Sequence, residues 1–595
     1  MLRYVGALLL ALPLAAQTVT YEVSVLPADN LFHVKADFPA TGKDTLYVSL
    51  PAWSPGNYEI QNYARYVRHF AAHGADAQPL FWDRFDKDTW RVTTGKRDRV
   101  TVEFDFLADT IDLSIARLRG DWGQFLGTNL FLYEEGQLAR PAAVRFALPP
   151  GWRVTTALAA SPGGTYTAPD YHTLVDAETF VGRYALDSLQ VAGHWIRLAL
   201  YPQADYTPAV AKSLRDVMQR AAASQDELMG GPPYDTYTIF FSVIHEPVGF
   251  GGGLEHLASQ YDIMPAGPDF ADDAGNLGSF IRPLISHEFF HLWNVKRIRP
   301  AEMWPYDYHA EQFTPLLWWS EGVTDYYADL TNVRSHLWTD DDFLHNIAAN
   351  MHEVAVAPEP WSEEDGSVAT WINEIYVNSS QLYYPKGSLT GLLLDVSIRD
   401  ATDNRHSLDE VMRGLFTRYY KQGKGFTTAN LVALLKEAGL PDADGFYAHY
   451  INGRDPLPYD SILPKAGIVV TRRSESTPVL GVSSGLTADG QVEVQGVAPG
   501  SAAAEAGVEP GDVLVQIGDV TIRGDQDWGE AFRNRFKGQN GQAMTITVKR
   551  SGQPRTLQTH VRERVSTAFT VAKPATPTPQ QAKLWRGLTT GATGP

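Results

Sequence analysis

Five residues constrain this chain more than any others: His287-Glu288-Phe289-Phe290-His291 reads HExxH. On a helix that spacing sets two imidazoles one turn apart on one side, within reach of a single metal ion. The flanks agree with a helix. Pro283 fits a first turn, and Ile285, Phe289 and Leu292 recur at i, i+4 and i+7 as an apolar stripe away from the histidines. The metal-facing and core-facing sides are therefore distinct. Two structural histidines on an amphipathic helix would satisfy the same five letters, so the pattern needs an independent third ligand.

Glu321 is expected to be that ligand. It lies in Trp318-Trp319-Ser320-Glu321-Gly322-Val323-Thr324-Asp325-Tyr326-Tyr327, compatible with a helix begun after Thr314-Pro315. Two neutral imidazoles and one carboxylate leave a tetrahedral zinc ion an open fourth position, the arrangement of a catalytic rather than a structural site. One Zn2+ per chain is expected, although other divalent ions accept the same ligand types. Asp325, four residues after Glu321 and on the same face, is positioned to accept the free N–H of a zinc histidine and fix its tautomer. A plain helix-surface charge is the alternative for Asp325. Glu288 would be the general base, taking a proton from water as it attacks a carbonyl and passing it to the leaving amine. The chain has no cysteine, which removes thiol nucleophiles and cysteine zinc sites.

The run from His287 through Leu292-Trp293-Asn294-Val295-Lys296-Arg297-Ile298-Arg299-Pro300, with Ser320-Glu321-Gly322 and Leu50-Pro51-Ala52-Trp53-Ser54-Pro55-Gly56-Asn57-Tyr58, resembles the glycyl aminopeptidase family. These are thermolysin-like gluzincin metallopeptidases with an appended PDZ domain. The resemblance implies a multidomain α+β chain with an N-terminal antiparallel β domain, a mainly α catalytic domain and a C-terminal PDZ domain. It also implies aminopeptidase activity with a preference for glycine or alanine at the N-terminus.

Two motifs gain roles from that resemblance. Gly251-Gly252-Gly253-Leu254-Glu255-His256 resembles the aminopeptidase G-x-M-E-N motif, with Leu254 and His256 as departures. Gly252 and Gly253 would then lie on an edge strand that aligns an extended peptide, and Glu255 would hold its α-ammonium. Glycines permit close backbone approach, but a triple glycine suits a loop or bulge equally well. In Tyr383-Tyr384-Pro385-Lys386-Gly387, Tyr384 matches the tyrosine that donates a hydrogen bond to the developing oxyanion. Adjacent tyrosines before a helix also serve as packing residues, and Tyr383 is the competing assignment.

The remaining sequence gives an order of units. Met1 to Ala16, with Arg3 before an apolar stretch too short to span a bilayer, reads as a signal peptide; a retained anchor is the alternative. Residues 17–192 alternate as an antiparallel β domain, 193–470 form the catalytic domain, and 477–565 resemble the PDZ domains of exported proteases. Leu480-Gly481-Val482 is the expected carboxylate-binding loop of that domain, which either takes C-terminal tails or packs on the catalytic unit. Residues 566–595, rich in Pro and Thr, read as a flexible tail. A net charge of −19 argues against nucleic acid as a partner. The compact basic run Lys296-Arg297-Ile298-Arg299 reads as structural, against a role gripping a substrate carboxylate. The expectation is an exported zinc aminopeptidase, periplasmic or extracellular, without a transmembrane span in its mature form. A PDZ-assisted endopeptidase and a noncatalytic PDZ-containing binding protein are the rivals.

Overall fold

A computed structural model describes residues 17–248, 250–357, 361–372, 381–487 and 489–594. The expected signal peptide, Met1 to Ala16, lies outside the described residues.

Alternation builds the N-terminal domain. In Val19–Leu26 every second side chain, Val19, Tyr21, Val23 and Val25, is buried. The strand pairs antiparallel with Leu31–Pro39, setting Tyr21 opposite Ala36 and Val23 opposite Val34. One seven-stranded and two four-stranded sheets follow, and Phe32, Phe104, Phe125 and Phe131 fill the core they enclose. The sheets are antiparallel except that Val19–Leu26 also pairs parallel with Ala142–Ala147.

A five-stranded sheet opens the central domain, ordered Ala185–Val191, His194–Tyr201, Thr236–Ile244, Ser259–Pro265, Gly252–Glu255. The expected border at 192/193 falls inside a hairpin of this sheet, since Ala185 pairs with Leu200 and Val191 with His194. The unit therefore starts before Ala185. Helix Pro208–Met229 makes the crossover between parallel strands. Thr207 caps its first turn by accepting from the Val210 amide, and Gly230 ends it in the left-handed conformation. Among the described residues Gly252–Glu255 pairs only with Ser259–Pro265 and is the sheet's edge.

Helix Ile281–Phe290 packs beside that edge, a second helix, Val323–Arg334, packs on the first, and Tyr383–Ala401 packs in turn on Val323–Arg334. The second is entered through a π turn, Trp318–Gly322, so regular helix begins later than Thr314-Pro315 suggests.

The C-terminal PDZ domain has its own core, including Leu480, Val494, Leu514, Ile546 and Val561. Residues 566–595 are not a free tail. Glu563–Ala572 pairs with Val469–Pro478 along ten residues, so residues 471–476, between the expected catalytic and PDZ bounds, lie in one half of a two-stranded ribbon. Pro579–Thr590 is a helix, capped by a Thr578–Gln581 box, that buries Leu584 and Leu588. Arg334 Nε donates to the Leu588 carbonyl at 2.9 Å and ties this helix to the catalytic domain. The Pro and Thr that suggested flexibility are the helix's start signal. Among the described residues no helix is long and apolar enough to cross a membrane.

Candidate active site

Helix Ile281–Phe290 buries Ile281, Leu284, Ile285 and Phe289 and thereby turns His287 and Glu288 to the cleft, with His291 at its C-cap. The Nε2 atoms of His287 and His291 stand 2.9 Å apart. Glu321 Oε2 lies 3.6 Å from the first and 3.3 Å from the second. Ligands of a tetrahedral zinc at about 2.0–2.1 Å sit roughly 3.3 Å from one another, so these three atoms fit one ion. The other ring nitrogens are engaged. His287 Nδ1 bonds Asp325 Oδ1 at 2.7 Å, and His291 Nδ1 donates to the Asn294 carbonyl at 2.6 Å. Both rings therefore direct a lone pair at the shared point.

Glu321 has a further partner that sequence reading missed. Tyr58, in the N-terminal domain, donates its hydroxyl to Glu321 Oε1 at 2.5 Å, leaving Oε2 for a metal. Burial opposes ionisation of Glu321, but His291 and His287 beside it hold its carboxyl well below the usual range. Tyr58 is buried and adopts a left-handed backbone, φ 45°. Its ring packs 5.9 Å from Trp371, and Trp371 packs 4.9 Å from Trp53. Trp53 in turn donates to the Asp307 carbonyl at 2.7 Å. The motif Leu50 to Tyr58 thus docks the β domain on the catalytic domain and delivers a side chain to the metal residues. Its sequence signal was the motif itself, which carried no role.

Glu288 is buried, and its Oε2 has no hydrogen-bond partner among the described residues. Burial first, and then the Glu255 and Glu321 carboxylates, push its carboxyl up to about 7 against the pull of the two histidines. Gly253 makes this position possible: a Cβ there would lie 2.5 Å from Glu288 Cδ. Gly252 is under no such demand, since its Cβ would meet only Leu113 at 3.4 Å.

Glu255, at the end of the edge strand, is 3% exposed and its Oε1 has no partner among the described residues. Its carboxylate lies within 4.8 Å of ligand atoms of Glu288 and His291. The N-terminal domain walls it in, for a Cβ on Gly56 (φ +113°) would fall 2.5 Å from Glu255 Oε2. Burial raises the Glu255 carboxyl above its usual value, opposed by His291 and Lys296.

Of the two adjacent tyrosines, Tyr384 faces the metal residues, its ring centroid 6.2 Å from that of His287. Tyr383 stacks on it at 4.7 Å and its hydroxyl meets Thr370 Oγ1 at 3.3 Å. Burial and the Glu321 charge push the Tyr384 phenol up, keeping it a neutral donor. In the basic run, Lys296 Nζ binds Asp176 at 2.7 Å, and Arg297 donates to the carbonyls of Leu257, Leu292 and Pro233.

Leu480-Gly481-Val482 stands apart from these residues. The Leu480 and Gly481 carbonyls each accept an amide inside the PDZ domain, from Ala503 and Ala498, both at 2.9 Å. Strand Val482–Leu486 pairs only with Val492–Val497 and is an edge. Between it and helix Trp528–Phe536 lies a groove of about 520 Å3, whose far wall is Pro247 and Val248 of the central domain.

Comparison with known proteins is consistent along the chain. Family models match for the peptidase M61 N-terminal domain over residues 20–183, M61 glycyl aminopeptidase over 281–390, and a PDZ domain over 493–550. A crystal structure of an aminopeptidase N family protein from Idiomarina loihiensis has a TM-score of 0.82, covers 96% of this chain and 100% of that one, and is 22% identical; the two share a fold. Over 99 residues, 16% of its length, the chain is 35% identical to HhoB of Synechocystis sp., provisionally described as a serine protease. It spans 23% of that relative.

Proposed function

Since the chain belongs to the M61 glycyl aminopeptidase family of zinc metallopeptidases, we propose that it is an exported aminopeptidase that removes small N-terminal residues, glycine or alanine, from peptides. One observation carries the reading: Glu255, whose Oε1 has no partner among the described residues, lies with its carboxylate within 4.8 Å of ligand atoms of Glu288 and His291. In a peptide the terminal nitrogen and the first carbonyl carbon are two bonds, about 2.5 Å, apart. An ammonium held by Glu255 therefore brings that carbonyl to the metal residues, and no longer N-terminal extension fits between them.

His287, His291 and Glu321 would hold the ion, and zinc when bound acidifies a water molecule and polarises a carbonyl. Glu288, its carboxyl pushed up to about 7, takes the proton of the attacking water and returns it to the leaving amine. Tyr384 donates a hydrogen bond to the oxyanion as it develops. The edge of Gly252–Glu255 aligns the peptide backbone as an added strand. The preference for small residues is supported by the crowding of Gly56 on Glu255 and of Tyr58 on Trp371. Export rests on the apolar N-terminal sixteen residues, and capture of C-terminal tails by the PDZ domain rests on its open strand edge.

Release of free glycine from unblocked and N-acetylated peptides by the zinc-loaded protein tests the proposal. Trimming of the free peptides alone is the expected result, with leucine-led peptides turned over more slowly. Internal cleavage of acetylated peptides would make the chain an endopeptidase, and equal turnover of leucine-led peptides would remove the small-residue preference.

A further inference from the structure

Beside the wall formed by Pro55 and Lys296 is a second recess, of about 260 Å3, lined by His172, Arg299, Trp304, Tyr306 and Tyr308 among others. It contains none of the metal residues and not Glu255. Its acidic neighbours are already committed. Asp170 accepts the Thr173 amide at 2.8 Å as a helix cap, and Asp176 accepts Lys296 Nζ at 2.7 Å and the Leu257 amide at 2.6 Å. His172 is paired through Nδ1 with the Tyr308 hydroxyl at 2.7 Å, and burial lowers its basicity.

Arg299 and Tyr306 are different. The Arg299 guanidinium lies 3.7 Å over the Tyr306 ring and 5.0 Å from that of Trp304. It makes one hydrogen bond, Nη2 to the Lys296 carbonyl at 3.0 Å, and is in salt-bridge contact with no carboxylate among the described residues. Its Nε is buried without an acceptor among the described residues. So is the hydroxyl of Tyr306, a residue 6% exposed. Buried donors in folded proteins find acceptors, and an unmatched guanidinium is the group best shaped for a planar oxyanion.

We propose that this recess binds a small oxyanion, a carboxylate or phosphate, received by the Arg299 guanidinium and the Tyr306 hydroxyl. The aromatic walls favour a carboxylate carried on a flat apolar body over a fully hydrated inorganic ion. The basic run thus has a divided use: Lys296 and Arg297 tie the fold together, and Arg299 is left to a ligand.

Isothermal titration calorimetry of the zinc-loaded full chain at constant ionic strength, with benzoate, acetate and inorganic phosphate as separate probes, tests this. Saturable binding of one anion per chain is expected, benzoate tighter than acetate, and weakened at least tenfold by Arg299→Met and by Tyr306→Phe. Glu255→Ala should leave it unchanged, which separates this site from the proposed peptide N-terminus site. Tighter phosphate than benzoate, with the same response to the variants, would support the site and identify an inorganic ligand. Tyr306→Phe keeps the ring under Arg299, so it decides the matter if Arg299→Met does not fold. Absence of saturable binding, or binding that Tyr306→Phe leaves intact, overturns the proposal.

Discussion

The two halves of the cleft differ in how their buried polar atoms are satisfied. On the metal half every ligand has a permanent second partner: Asp325 for His287, the Asn294 carbonyl for His291, Tyr58 for Glu321. On the other half Glu288 Oε2 and Glu255 Oε1 have none among the described residues. Each buried acceptor left without a donor costs about 1–3 kcal/mol. The contrast assigns the halves different tasks. Under the proposed function, groups that would only hold are fixed in advance by the fold, whereas groups that would exchange a proton or receive a cation keep a lone pair open until the partner arrives. The upward shift of the Glu288 carboxyl has the same origin, since burial disfavours its charged form and Oε2 has no donor among the described residues.

The largest expected effect breaks this comparison most directly. Glu288→Gln should lower kcat by about 10²–10⁴-fold, the range of a lost general base, while zinc content by metal analysis stays at one per chain. Loss of zinc together with activity would move Glu288 into the holding half and erase the distinction. Glu255→Ala comes next. A charge-assisted hydrogen bond to an ammonium is worth about 1.5–3 kcal/mol, so kcat/KM for free glycyl peptides should fall roughly 10–100-fold. Thermal denaturation of the ligand-free protein sharpens the point: removing an unpartnered buried carboxylate should not lower Tm. A large drop in Tm would show that Glu255 has a structural partner and is not waiting for one.

Much of the metal half was legible because helical periodicity is local. His287 and His291 are four apart, as are Glu321 and Asp325, and such spacing places side chains on one face whatever the surrounding fold. Pieces brought together from distant sequence were not legible. Tyr58 reaches Glu321 across 263 positions and two domains, and nothing within a few residues of Tyr58 says so. The ribbon of Val469–Pro478 and Glu563–Ala572 joins strands on either side of the PDZ domain, so its second strand alone resembled the start of a tail. The border set at 192/193 failed for another reason. Ala192 and Gly193 both have positive φ, 49° and 87°, and are the two-residue turn of a hairpin. A turn signal is the same whether the chain folds back within a domain or leaves it.

The smallest effect tests the residue that joins the domains to the chemistry. Tyr58→Phe removes one hydroxyl and keeps the ring packed on Trp371, so the fold and Tm should change little. Glu321 Oε1 then loses its donor, and the carboxylate is free to rotate or to bind the ion through both oxygens. Partners of metal ligands typically contribute 10–100-fold to metal affinity, and this one acts on a single oxygen of a single ligand, which places it near the lower end. Zinc dissociation measured by chelator competition should therefore tighten the ranking: roughly tenfold weaker binding in Tyr58→Phe, against essentially unchanged binding in Glu255→Ala. Equal zinc affinity in both variants would mean that Asp325 and the Asn294 carbonyl alone fix the metal half, and that the N-terminal domain contributes to the cleft only through Gly56 at the Glu255 wall.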